Sequence, residues 1–327
     1  MRRLTVKTRD WRLRKPFTIA RGTAETIGVV LVAVEEDGHV GRSEAAGMDY
    51  KGETPETIAA QIERVRSYIE RGATRADLGG LLPPGGARNA LDCALWDLEA
   101  KRRGVPAWTL AGLERVGPIN TAYTVGIDTP EAMAADAHSM ASDFKVVKVK
   151  IGAVGGLEQV AAVHAAVPGA RLIVDANQAL DLDGLQALAP ALAELGVVLI
   201  EQPLLVGQDG ALAAYDGPVP LCADESCNVA ADVERLATLY RYVNIKLDKS
   251  GGLTEALRIV AAARSAGMGL MVGNMNGSSL AMAPAMVVAQ FCEFVDLDGP
   301  LLQAEDWIPA LVYEQERILY PGRDLWG

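Results

Sequence analysis

The chain has 327 residues, half of them apolar, enough for one large α/β domain and a smaller companion with a sizeable core. Its formal net charge of −11 argues against a nucleic-acid partner, which asks for a basic face. No apolar run reaches membrane-spanning length without a charge, Pro or Gly, so no membrane partner is expected. The four cysteines, Cys93, Cys222, Cys227 and Cys292, form no C-x-x-C pair, and Met1 to Lys7 contains no apolar core. A cytoplasmic enzyme with reduced thiols and no signal peptide is expected.

Residues 1–115 read as an α+β module. Leu4-Thr5-Val6 and Ile27 to Val34 have strand character, and Glu36-Asp37-Gly38-His39 is a hairpin turn. Helical patterns follow over Glu56–Arg71 and Ala87–Arg103. The second carries Ala90, Leu91, Ala94, Leu95 and Leu98 on one stripe and stops at Gly104. Residues 116–310 then alternate strand and helix. Strands end near Thr124, Lys150, Asp175, Glu201, Asp224, Lys246, Gly273 and Asp298, roughly 22 to 27 residues apart, the length of one βα unit of a barrel. The eighth helix is not evident, because Gly299-Pro300 follows the last strand. Residues 311–327 are expected to return to the first module.

Five consecutive strand ends carry charge, Lys148 with Lys150, then Asp175, Glu201, Asp224 and Lys246, and the last strand adds Asp296 and Asp298. Side chains alternate along a strand, so Lys148 and Lys150 share a face, as do Asn244, Lys246 and Asp248, and Asp296 and Asp298. In a ring of eight, the strands of Lys150 and Lys246 are four apart and therefore opposed. Asp175, Glu201 and Asp224 occupy the arc between them, and the strand of Asp296 and Asp298 lies across the ring. Three hard oxygen donors with open positions suit Mg²⁺. A proton α to a carboxylate is a very weak acid, and its removal needs a cation to stabilise the enediolate. A lysine serves as the base only if its pKa is lowered, for which Lys148 and the metal are candidates. Two bases on opposite faces permit epimerisation. The histidines, His39, His138 and His164, lie away from strand ends, which argues against a His base. Asn177 and Gln202 read as hydrogen-bond partners of the ligands, Lys249 as lying outside the site, and Cys222 and Cys227 as packing residues.

With these motifs assembled, the chain resembles a known family. Lys148-Val149-Lys150, Asp175-Ala176-Asn177, Glu201-Gln202-Pro203, Asp224-Glu225-Ser226 and Asn244 to Gly252 are similar to the muconate-lactonising subgroup of the enolase superfamily. Asp296-Leu297-Asp298-Gly299-Pro300 resembles the dipeptide epimerases, typified by L-Ala-D/L-Glu epimerases. The resemblance covers nearly the whole chain, including Pro16 to Gly22 and Ala87 to Asp97. It implies a modified (β/α)₇β barrel under an α+β cap, Mg²⁺ on Asp175, Glu201 and Asp224, and Lys150 and Lys246 as acid and base. It further implies that Lys148 contacts the substrate carboxylate and that Asp296 and Asp298 bind the α-ammonium of a dipeptide. Arg21 is the implied partner of a glutamate side chain, since arginine grips carboxylates bidentately. Thr124 and the loop Gly273 to Ser279, with Asn276, complete the candidate substrate contacts. A small acidic dipeptide as substrate and a homo-oligomeric assembly are expected. An N-acyl-glutamate racemase, which would offer Asp296 and Asp298 no ammonium, is the alternative. A lyase or cycloisomerase of the same fold, using one lysine as base and the other as a cation, is a second.

Overall fold

A computed structural model of the chain describes residues 2–327. The cap is built on an antiparallel sheet of β1 (Arg3–Ile19), β2 (Gly22–Glu36) and β3 (His39–Ala45), in that order. Asp37 and Gly38 both take positive φ, 52° and 77°, the tight two-residue turn that joins twisted strands without splaying them. β1 is far longer than Leu4–Val6. Its stretch from Lys7 to Lys15 is mostly exposed charge, with Trp11 and Leu13 buried, so the alternation is masked by lysine and arginine. The helix Pro55–Glu70 starts in a Thr54–Thr57 capping box and buries Ile58, Ile62, Val65 and Ile69 on the sheet.

The helix Gly86–Arg103 joins the two halves of the molecule. Ala90, Leu91, Ala94, Leu95 and Leu98 belong to the cap core, while Cys93, Trp96 and Ala100 belong to the barrel core. It ends at Gly104, whose φ of 69° is the left-handed conformation that closes a helix.

After the short β4 (Ile119–Asn120) come the barrel strands: β5 (Tyr123–Val125), β6 (Val146–Lys150), β7 (Arg171–Asp175), β8 (Val197–Glu201), β9 (Leu221–Ala223), β10 (Tyr242–Ile245), β11 (Gly269–Val272) and β12 (Phe294–Val295). They pair in sequence order as one eight-stranded sheet, parallel throughout. The sheet curls until its ends meet: Ala122 N donates to Val295 O at 2.7 Å, and Leu297 N donates to Thr121 Oγ1 at 2.8 Å. β12 is followed only by the four-residue helix Gly299–Leu302, so the eighth barrel helix is absent as expected. Ile173, Leu199, Cys222, Met271 and Phe294 fill the interior and form a dry floor. β13 (Tyr313–Glu314) pairs antiparallel with β14 (Arg317–Ile318), which in turn pairs antiparallel with β4. The chain then returns to the joining helix, where Trp326 Nε1 donates to Cys93 O at 3.1 Å and Gly327 N donates to Asp97 Oδ1 at 2.6 Å. Among the described residues no helix is long and apolar enough to cross a membrane.

Buried carboxylates pin cap to barrel. Glu44 accepts from Trp11 Nε1 at 3.1 Å and from Ser278 N at 2.7 Å, Asp92 accepts from Thr254 N at 2.9 Å, and Asp248 accepts from Gly47 N at 3.0 Å. Asp248 therefore does not share the site with Lys246, because the strand ends at Ile245 and the chain turns into Leu247–Ser250. Burial raises Glu44 to about 7 and Asp92 and Asp248 to about 6, despite those hydrogen bonds. A carboxyl raised on folding adds stability that is fully present below its unfolded pKa and is lost as pH rises through the folded value. For Glu44 the window runs from 4.5 to about 7. The melting temperature is therefore expected to fall from pH 5 to pH 8, and to fall less in Glu44→Gln. Identical pH slopes for the two proteins would contradict the assignment.

Candidate active site

The site is assembled by register. Lys150 pairs with Asp175, and Asp175 with Glu201, so three charges from β6, β7 and β8 stand in one row at the carboxyl ends of adjacent strands. Glu201 pairs with Cys222, which places Asp224 two residues further along with the same strand parity, just past the end of β9. Lys246 follows Ile245 at the end of β10. Asn177, Gln178, Gln202 and Asn276 all take positive φ, between 34° and 71°, just beyond these strand ends. Such backbone is unfavourable for residues other than glycine and clusters at functional sites.

The three acids are completely buried. Lys150 Nζ donates to Asp175 Oδ2 at 2.6 Å, and Lys246 Nζ donates to Asp224 Oδ2 at 2.7 Å. Burial pushes Asp175 and Asp224 up, but the lysines outweigh it and hold both carboxyls below their ordinary value. Glu201 behaves oppositely: burial, then the adjacent Asp175 charge, raises it to about 8. Its Oε1 accepts from Asn244 Nδ2 at 2.8 Å, whereas Oε2 lies 2.9 Å from Lys148 Nζ without a hydrogen-bonding angle. Burial also opposes the charge of Lys246, but Asp224 outweighs it and keeps the ammonium above its ordinary pKa.

Lys148 lies at the base of the same strand ends and reaches the cavity with little of its side chain exposed. It is 1% exposed, with Nζ 3.0 Å from Asp175 Oδ2 and 2.9 Å from Asp296 Oδ2, so it ties β12 to the acid row. Asp296 Oδ1 accepts from Thr124 Oγ1 at 3.0 Å, and Asp298 Oδ2 accepts from Thr124 N at 2.6 Å. Burial, then the Asp296 charge, raises Asp298 to about 7. Lys249, expected outside the site, is 1% exposed and donates to Asp224 Oδ1 at 2.5 Å and to Asn244 O at 3.0 Å. Its three-residue distance from Lys246 is one helical turn, and Leu247–Ser250 is a helix, which folds Lys249 back under the site. Gln202 fixes the same loop: its Oε1 accepts from Asp224 N at 2.9 Å and from Ser226 N at 3.1 Å. Glu225, which the sequence did not single out, is buried beside Asp224 and accepts from Arg21 Nη1 at 2.7 Å.

Above this layer is a cavity of about 470 Å³ between barrel and cap. Lys148, Lys150, Lys246, Asp296 and Asp298 line it from the barrel, together with Thr124 and Asn276. Arg21 enters from the β1–β2 turn. Among the described residues no three His, Cys, Asp or Glu side chains stand at chelating spacing, since the ammonium groups face the acid oxygens instead. The donor set nevertheless fits a hard divalent ion. Three carboxylates project from neighbouring strand ends, and Glu201 Oε2 has no hydrogen bond.

Residues 132–315 match the enolase C-terminal domain-like family, and residues 1–112 match the N-terminal domain of the mandelate racemase / muconate lactonizing enzyme family. The chain belongs to the enolase superfamily. Within it, the chain is 43% identical to the L-Ala-D/L-Glu epimerase of Escherichia coli K12, over 96% of this chain and 98% of that one. It is 39% identical to an N-acetyl-D-glutamate racemase of Pseudoalteromonas, over 91% and 95%. A solved enolase family member from Agrobacterium tumefaciens, with homology to dipeptide epimerases and with bound sodium and L-Ala-L-Glu, matches with a TM-score of 0.97 at 42% identity, covering all of both chains. Other solved dipeptide epimerases of this fold hold magnesium with a dipeptide.

Proposed function

We propose that this member of the superfamily is a Mg²⁺-dependent dipeptide epimerase of the L-Ala-D/L-Glu type. It inverts the α-carbon of the C-terminal residue by 1,1-proton transfer. The observation that carries the reading is the pair Lys150 and Lys246, which line one cavity from strands four places apart in the barrel. Such a pair reaches an α-carbon from opposite sides: one lysine removes the proton and the other returns one to the opposite face.

Asp175, Glu201 and Asp224 would hold the metal. Mg²⁺, when bound there, supplies a Lewis-acid charge to the substrate carboxylate and offsets the acids that now keep Lys246 protonated. Lys148 then secures the acid row and the carboxylate end. Asp296 and Asp298 line the opposite side of the cavity, and Thr124 Oγ1 and N hold the two aspartates in place. An α-ammonium against Asp298 would also favour its ionised form, since opposite charge offsets the burial that raises it. Asn276 and Arg21 also line the cavity; in this reading Asn276 would meet the side-chain end of the substrate and Arg21 its glutamate carboxylate.

Incubating the enzyme with L-Ala-L-Glu and Mg²⁺ is expected to yield L-Ala-D-Glu on chiral chromatography. The kcat/KM should exceed that for N-acetyl-L-glutamate, which lacks the ammonium. The reverse order would favour the N-acyl-glutamate racemase, the activity of the 39%-identical relative.

A further inference from the structure

We propose that Glu225 is a positioning residue that fixes Arg21 for a second substrate carboxylate, so that selection for an acidic C-terminal residue depends on a buried barrel carboxylate. This rests on the epimerase reading above.

Arg21 sits at the tip of the β1–β2 hairpin, between Ile19 and Gly22. A long side chain on such a tip has many rotamers, and ordering it only on ligand binding weakens affinity. Yet the Arg21 side chain is only one-quarter exposed, although its backbone at the hairpin tip is open to solvent, and two groups hold it. Its Nη1 donates to Glu225 Oε1 at 2.7 Å, and its guanidinium lies 5.1 Å from the Tyr50 ring centre. Glu225 itself is 1% exposed and follows Asp224 on the β9 loop. Its Oε1 is also 3.5 Å from Asn177 Nδ2, and its Oε2 has no hydrogen-bond partner. Among the described residues, Arg21 is its only salt-bridge partner.

The pair commits Nη1 and leaves the Nη2 edge without a hydrogen bond. The nearest acid to that edge is the exposed Asp49 at 3.6 Å, which lines the same cavity. An incoming carboxylate can therefore displace Asp49 and take the free edge while Glu225 keeps the guanidinium in place. An amide of the same shape gains much less from that edge.

The test compares L-Ala-L-Glu with its isostere L-Ala-L-Gln, reading KM and kcat separately and measuring each dissociation constant by calorimetry. Glu225→Ala is expected to lower the affinity ratio of acid over amide by about tenfold, the effect of one rotamer-rich side chain no longer being immobilised beforehand. The change should fall on KM rather than kcat. Glu225→Gln, which still offers an acceptor to Nη1, should recover part of the ratio, and Asp49→Asn should raise it. Equal losses for both dipeptides, as a disturbance of the adjacent Asp224 would cause, overturn the inference, and so does an unchanged ratio. A wild-type protein that binds L-Ala-L-Glu without epimerising it overturns the epimerase reading, while the calorimetric ratio still decides the role of Glu225.

Discussion

Replacing Lys246 by Ala is expected to stop epimerisation in both directions, while one epimer continues to exchange its α-proton with solvent. In a two-base reaction each lysine removes the proton of one epimer and protonates the other, so turnover requires both. General acid–base catalysis by one positioned group contributes about 10²–10⁴ in rate, and kcat should fall by at least that much. The residual exchange belongs to the epimer that Lys150 deprotonates, and Lys150→Ala should leave the mirror result. The variant remains interpretable because Lys249, at 2.5 Å, still compensates Asp224 after Lys246 is removed. A lyase of the same fold makes a different prediction, since one lysine then acts as a cation and the two variants are not mirror images. NMR in D₂O, following each epimer separately, distinguishes these outcomes.

Asp224→Asn is expected to damage both stability and metal binding. Asp224 is the carboxylate shared by Lys246 at 2.7 Å and Lys249 at 2.5 Å, and all three side chains are buried. Neutralising it leaves two buried ammonium groups without their nearest counter-charge. Breaking a buried pair by removing one partner costs about 3–5 kcal/mol. The amide also lacks the anionic oxygens that a hard divalent ion requires. Thermal melting with and without Mg²⁺ checks both effects together. Wild type should melt higher as Mg²⁺ is added, because an ion bound only by the native state stabilises it by about 2.7 kcal/mol at a hundred times its dissociation constant. Asp224→Asn should start lower and not respond. A normal Mg²⁺-dependent rise in the variant would remove Asp224 from the proposed ligand set.

The barrel and its charged rim are legible in the sequence because both follow from short-range rules. Strand alternation and the regular spacing of βα units position Lys150, Asp175, Glu201, Asp224 and Lys246 with no knowledge of packing, and the Gly299-Pro300 step gives the missing eighth helix. What escapes is set by partners far away in the chain. Lys249 looks like a surface residue until the turn of Leu247–Ser250 brings it beneath Asp224. Asp248 shares strand parity with Lys246, but the strand has already ended and its carboxylate meets the cap at Gly47 N. Glu225 is silent in sequence because its partner, Arg21, lies in the cap more than 200 residues away, at a separation of 204. The depth of Lys148 is likewise invisible, since strand parity gives a face but not how many acids converge on it. Gly41 is a structural case of the same kind. A Cβ there would run into the Ala94 carbonyl and the Leu98 backbone of the joining helix, a close approach that no local pattern announces.

In the proposed reaction two opposed lysines, Lys150 and Lys246, exchange the α-proton of the C-terminal residue on opposite faces. The reaction of each epimer of Ala-Glu in D₂O with Mg²⁺, followed at the glutamate α-carbon by NMR and mass spectrometry, checks this. L-Ala-L-Glu and L-Ala-D-Glu are expected to interconvert, with each newly formed epimer carrying deuterium at that carbon. An α-proton carried through intact to the product, or no deuterium uptake from any member of an L,L-dipeptide library, would contradict it.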